Sequence, residues 1–258
     1  MASDFKPCTW ILLRGLGRES GHWGAFKEKF TARAGADEVL AIDLPGSGIH
    51  VSDTSPRSVP ALMAQVRAEA VEKARHQGQF RILAMSLGGM VAMEWMRQKP
   101  GDLAGVVLAN TSTSDFSPLI QRLRWQVWRD LLKVMAIQSA RDRERAILAI
   151  LLNSPEARET ALPLWTKIAI ERPVSYASFL NQLMAAARFK GAPMNSPVPV
   201  LLLNGLGDRF VDPSCSTQLH EKMQWPIARH PWAGHDLTWD DPEWVLDKIN
   251  AWRASANA

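Results

Sequence analysis

"LAMSLGGM", residues 83–90, is the stretch whose reading decides the fold. It closes an apolar run, FRILAM, and opens a helix-like one, with Ser86 at the junction. Ala84 and Gly88 stand two residues before and two after that serine. A strand and a helix joined by so tight a turn can approach each other only if those positions are small. The serine hydroxyl then projects above the end of the strand. The plainer reading of such a serine is a helix cap, whose hydroxyl accepts from a first-turn N–H. The surrounding chain has to decide between the two.

On both sides, short apolar runs alternate with helical patterns. The runs at 9–15, 39–46, 80–86, 104–111, 198–205 and 226–235 predict strands. The patterns at 58–76, 87–99, 214–223 and 241–253 predict helices. Continuous Val-, Ile- and Leu-rich runs suit a parallel sheet covered on both faces. Their alternation with helices predicts an α/β fold with a mostly parallel sheet of about six strands.

Residues 115–190 interrupt this rhythm with helices alone. Ile120, Leu123, Val127, Leu131 and Val134 recur at helical spacing and predict one helix. Ser139 with Asp142 predicts a capped start to the next. Ser154 followed by Pro155 predicts a third, kinked at Pro163. Ser175 opens a fourth, which Gly191 ends. The expected organisation is a core of residues 1–114 and 191–258, with a helical lid at 115–190. The lid holds twelve Arg and Lys against seven Asp and Glu, net +5, while the remainder is net −1.

The chain has 258 residues, 47% of them hydrophobic and 22% charged. A chain of this length buries roughly three quarters of its unfolded surface, so one core needs no staples. Cys8 and Cys215 are the two cysteines. Nothing in their spacing argues for a disulfide or a zinc site, so two free thiols in a reducing compartment are expected. MASDFKPCTW has no basic segment followed by a long apolar run, and VPVLLLNGL is far too short to span a bilayer. The expected protein is soluble and cytoplasmic and makes no membrane contact. Its net charge of +4, without a basic stripe or a nucleic-acid motif, argues against nucleic acid as a partner.

A serine that acts needs a base. Of the six histidines, His76 and His220 fall in exposed helical patterns, and His230 falls inside a predicted strand. His235, in WAGHDL, follows the last strand, where a loop can swing an imidazole over the sheet edge. The base in turn needs an acid. Asp208, in NGLGDRFVDP, follows the fifth strand and would emerge at the same edge. Asp115, after the fourth strand, is the rival. Asp43, Asp212 and Asp236 read as turn and cap residues. The chain order Ser86, Asp208, His235 suits a nucleophile, an orienting acid and a general base.

RGLGRESGHW, residues 14–23, admits two chemistries. A dinucleotide loop would use Gly15 and Gly17, with Asp43 on the ribose, but Ser20 stands where a third glycine belongs. That reading also leaves Ser86, Asp208 and His235 without a role. The helix after this loop is expected to start near Gly21, with Trp23, Phe26 and Phe30 as its apolar face.

Together, RGLGRESGHW, IDLPGSG, LAMSLGGM, LLLNGLGDRFVDP and WAGHDL resemble the α/β-hydrolase superfamily, in its lidded serine-esterase branch. Size and a four-helix lid liken the chain to the pimeloyl-carrier methyl ester esterase type. The resemblance implies an oxyanion hole made by the backbone N–H groups of Leu16 and Leu87. It departs from the family at Arg14, where His is usual before the glycine, and at Ala84, where Gly is usual. What it implies is a carboxylic ester hydrolase working through an acyl-enzyme, with an apolar acyl pocket and without metal or cofactor. The substrate would be a small or carrier-linked ester, and the basic lid could meet an acidic carrier protein. A lactonase, an amidase, a carbon–carbon bond hydrolase and a non-catalytic ligand-binding protein are the alternatives on the same fold.

Overall fold

The computed structural model describes residues 9–33, 38–76, 78–191 and 196–256. Cys8, the N-terminal stretch before Thr9 and residues 192–195 of the linker lie outside the described residues. Six strands form one sheet: β1 (Thr9–Leu13), β2 (Glu38–Ile42), β3 (Phe80–Met85), β4 (Leu103–Ala109), β5 (Val200–Gly205) and β6 (Ile227–His230). Their order is β2-β1-β3-β4-β5-β6, and every neighbouring pair is parallel. The chain winds one way from β1 to β2 and the other way from β3 onward. The β1/β3 boundary is therefore a switch point, where a parallel sheet opens a crevice at its C-terminal edge.

The central strands β1, β3, β4 and β5 are buried on both faces, as a covered parallel sheet requires, while the edge strands β2 and β6 are only partly buried. On one face Ile11, Leu13, Ile82, Val106 and Leu108 pack with α2 (Val59–Lys73) and α3 (Leu87–Gln98). On the other, Trp10, Leu12, Leu83, Val107 and Leu203 meet α1 (Phe26–Arg33) and α11 (Pro242–Ala256). Side chains alternate between the layers because successive strand residues point oppositely.

Between β4 and β5 the chain forms α4 (Leu119–Arg122), α5 (Trp125–Ala136), α6 (Ala140–Leu151), α7 (Pro155–Glu171) and α8 (Tyr176–Arg188). Caps read from the sequence are in place: the hydroxyls of Ser139, Ser154 and Ser175 accept from the N–H groups of Asp142, Ala157 and Ser178. α6 and α7 close over their own apolar cluster of Leu148, Leu151, Leu152, Leu162 and Trp165. α9 (Ser214–Met223) follows β5, and the short α10 (Leu237–Asp240) precedes α11.

Four local expectations need correction. The single helix expected through Ile120–Val134 is two, because Leu123 and Arg124 are extended and Arg124 gives its N–H to the Phe210 carbonyl at 3.0 Å. A tertiary hydrogen bond has taken a donor that the helix would have used. Arg122, one of the basic residues counted in the lid, is buried and donates to the carbonyls of Ala186 and Ala187 at 2.5 and 2.8 Å. α8 stops at Arg188, before Gly191, whose N–H goes to Asp115 at 2.6 Å. The helix expected near Gly21 is a 3-10 turn, Ser20–Trp23, followed by α1. α7 runs through Pro163.

Candidate active site

Ser86 sits between β3 and α3 with φ 52° and ψ −119°. That backbone region is costly for a non-glycine residue and persists only where the surroundings impose it. Here its N–H donates to Ala109 at 3.0 Å, and its carbonyl accepts from the Thr111 hydroxyl at 2.7 Å. A Cβ on Gly88 would lie 2.5 Å from the Arg14 carbonyl oxygen and 2.8 Å from that of Leu13. Only glycine lets the first turn of α3 press this closely on the end of β1. The Ser86 hydroxyl makes no capping bond to α3, so the plain helix-cap reading does not hold.

Asp208 and His235 come from the loops after β5 and β6. The carboxylate lies 2.7 Å from His235 Nδ1, and both residues are buried. Its other oxygen accepts from the N–H groups of Phe210 and Val211 at 2.8 and 2.9 Å, so its position is set from two sides. A carboxylate on Nδ1 selects the tautomer that carries its proton there and leaves Nε2 able to accept one. The two loops cross closely: a Cβ on Gly205 would stand 2.5 Å from the Ala233 carbonyl oxygen. Asn110 ties them together. Its Nδ2 donates to the carbonyls of Gly234 and His235, and its Oδ1 accepts from the Gly205 N–H. Asn110 itself has φ 46°. It was not singled out in the sequence, where an Asn after a strand reads as an ordinary turn.

The rival acids are engaged elsewhere. Asp115 accepts from the Gly191 N–H, Asp212 caps the start of α9 at the Ser214 N–H, and Asp43 accepts from the N–H groups of Ser20 and Ile49. His230 is buried in β6 and lies 3.1 Å from Asp241. His220 Nδ1 meets the Trp225 carbonyl. In the turn after β1, a Cβ on Gly15 would lie 3.0 Å from that of Ser86. The N–H of Gly17 goes to Gln182 at 2.9 Å and that of Arg18 to the Gly15 carbonyl at 3.2 Å. Leu16 lies in this turn, and Leu87 opens α3, where helix geometry leaves N–H groups without an intrahelical acceptor.

Ser86 and His235 line one cavity of about 490 Å³. Its walls divide by character. Leu131, Val134, Ile147, Ile150, Phe179 and Phe210 make an apolar side. The same cavity is also lined by charged and polar groups that the sequence did not announce. Arg18 pairs with Glu144 at 2.9 Å and lies 4.4 Å from the Trp165 ring centroid. Arg172 grips both oxygens of Glu19. Arg14 pairs with Asp236. His22, 3.0 Å from Arg18, is held well below its usual pKa by burial first and then by the Arg18 and Arg14 charges, so it is neutral there. Among the described residues no cluster of His, Cys, Asp and Glu is arranged to hold a metal ion, and no helix is long and apolar enough to cross a membrane.

Comparison with known proteins places this geometry in context. The alpha/beta hydrolase family matches residues 10–248. A pimeloyl-[acyl-carrier protein] methyl ester esterase of Nitrosospira multiformis is 22% identical over 227 residues, covering 83% of this chain and 82% of that protein. The esterase RhEst1 from Rhodococcus sp. ECU1013 superposes with a TM-score of 0.74 at 20% identity, over 97% of this chain and 91% of that one. A thermophilic esterase from Thermogutta terrifontis gives 0.73 at 20% identity, over 98% and 92%. At such identities the likeness to solved structures speaks for the fold alone.

Proposed function

The chain belongs to the alpha/beta hydrolase family, and from that premise we propose that it cleaves a carboxylic ester through an acyl-enzyme on Ser86. One observation carries the reading. A serine in a strained strand-to-helix turn shares a cavity with an imidazole whose far nitrogen is held by a buried carboxylate. In this reading His235 Nε2 takes the Ser86 proton as the hydroxyl oxygen attacks the ester carbonyl carbon. Asp208 keeps the imidazole in its tautomer and stabilises the imidazolium. The N–H groups of Leu16 and Leu87 receive the oxyanion, each worth roughly 3 kcal/mol of barrier. Collapse expels the alcohol, which takes the proton from His235. Water then repeats the sequence and releases the acid.

Residues 115–190 act as a lid in this reading, and the apolar side of the cavity takes the acyl chain. The relative acting on a carrier-linked methyl ester supports an ester attached to a carrier as one substrate class. The net charge of +5 on residues 115–190 supports an acidic carrier as the partner.

A fluorophosphonate probe tests the reading without knowledge of the substrate. The adduct is expected on Ser86 by peptide mass mapping, and Ser86→Ala should abolish it. Labelling at another serine, or none in folded protein, would overturn the assignment.

A further inference from the structure

Arg14 follows β1, and its buried side chain touches the residues next to both Ser86 and His235. The side chain is 4% exposed. One terminal nitrogen, Nη2, donates to Asp236, the residue that follows His235. The other, Nη1, reaches the sulfur of Met85, the residue that precedes Ser86, at 3.4 Å. The guanidinium carbon lies 4.8 Å from the Trp23 ring centroid. The Arg14 carbonyl oxygen is one of the two atoms against Gly88, and the next residue, Gly15, lies against Ser86. Asp236 is fixed in turn, accepting from the Thr238 hydroxyl at 2.7 Å. Its N–H donates to the Leu151 carbonyl of α6 at 3.2 Å.

We propose that Arg14 and Asp236 form a positioning pair that holds His235 in register with Ser86 and keeps the charge beside the imidazole balanced. The proposal rests on the assignment of Ser86, His235 and Asp208 to catalysis. A buried ion pair is a poor source of stability, because removing two charges from water offsets their attraction. Breaking one leaves the surviving charge uncompensated. Here one of the two charges, Asp236, adjoins the general base in the chain, and the other is its direct partner. The pair also joins the loops after β1 and β6 with the end of β3, three segments that no continuous element connects.

Apart from Arg143, the other charged groups around His235 have partners of their own. Asp208 is on the ring itself. Asp240 accepts from the Gly234 N–H, Arg124 donates to the Asp208 carbonyl, and Arg209 donates to the carbonyls of Ala149 and Leu152. Across the cavity stand the pairs Arg18–Glu144 and Arg172–Glu19, with neutral His22 and the half-buried Arg143. Substitution at Arg14 or Asp236 removes none of these contacts, although the Arg14 charge also acts on His22 and the Asp236 charge on Asp240.

The test uses the rate of hydrolysis of a p-nitrophenyl ester against pH, with Ser86 labelling by the fluorophosphonate as a second rate. Asp236→Asn leaves Arg14 as an unmatched cation, which disfavours the imidazolium. The acid limb of kcat/KM should move to lower pH by about half a unit or more. Arg14→Gln leaves an unmatched carboxylate, which favours the imidazolium, and the limb should move to higher pH. The Arg14→Gln/Asp236→Asn double variant carries no unmatched charge, and its limb should return toward the native position. Both single variants should lose about tenfold or more in kcat with KM changed by less than about threefold, as for misplaced reacting groups. The double variant keeps the test open if either single variant fails to fold: it should then fold, retain the native limb and show the same kcat loss. Limbs that move in the same direction, or not at all, in folded protein would reduce the pair to a structural staple. So would a folded double variant with native kcat. If Ser86→Ala retains turnover, the hydrolase reading itself has failed. If it abolishes turnover while the limbs stay put, only the positioning role has failed.

Discussion

At the scale of single residues, the candidate site depends on groups whose side chains have one geometry each. Asp208 uses one oxygen for two backbone N–H groups and the other for His235. Asp208→Asn should therefore leave the fold intact, since an amide can occupy the same place. It would present the wrong group to Nδ1 in one of its orientations and could not stabilise the imidazolium. Turnover is expected to fall by roughly 10⁴-fold. Asp115→Asn should change it little, because that carboxylate serves the Gly191 N–H and makes no hydrogen bond to the imidazole. Steady-state rates on any cleaved ester decide it, and a reversed pair of results would move the acid to β4. Cys215, by contrast, is an inert residue: burial pushes its thiol up to about 11, so no thiolate forms near neutral pH.

At the scale of elements, two adjacent residues of opposite charge contribute to the join between the helical segment and the core. Arg18 reaches Glu144 on α6, and Glu19 reaches Arg172 at the end of α7. One short turn after β1 thus grips two helices. Glu144 is 6% exposed and Arg18 11%, so the first pair is shielded from water. Glu144→Gln would leave a buried guanidinium facing a neutral amide and the neutral His22. A loss of about 3 kcal/mol in unfolding free energy is expected from denaturant titration. A loss within about 0.5 kcal/mol would mean that water already reaches the pair. None of this is legible in RGLGRESGHW, where nothing in the spacing of Arg18 and Glu19 points to Glu144 or Arg172. The caps at Ser139, Ser154 and Ser175 were legible, because a cap depends on residues three apart. The break between α4 and α5 was not, because its cause is Phe210, far along the chain.

At the scale of the whole molecule, charge is segregated: net +5 on residues 115–190 and −1 on the rest. The structure trims that excess. Arg122 is buried on carbonyl oxygens, and Arg172 is matched by Glu19, which lies outside the segment. Arg129 and Arg141 remain exposed. If the segment steers an acidic carrier, kcat/KM for a carrier-linked ester should fall steeply with added salt. The Debye length is about 8 Å at physiological strength. A small neutral ester should be nearly indifferent. Arg129→Glu with Arg141→Glu should reproduce the loss at low salt. Equal salt dependence for both substrates would make the basic surface a solvated face and nothing more.

The sequence by itself determined the sheet, the order of its strands with helices, and the three loops that deliver Ser86, Asp208 and His235. Each of these is written in a local signal: an unbroken apolar run, a small residue on either side of a turn, a polar residue just past a strand's end. A parallel sheet sends every such end to the same edge, so local signals sufficed to bring distant residues together. What only the tertiary structure decided is the company those residues keep. Arg14 and Asp236 are 222 residues apart and have no spacing or pattern that joins them. The same holds for Asn110 across the β5 and β6 loops and for the polar side of the cavity. A buried charge finds its partner by where the backbone happens to place one. That choice is made when the elements pack, under the penalty for leaving a charge unmatched away from water.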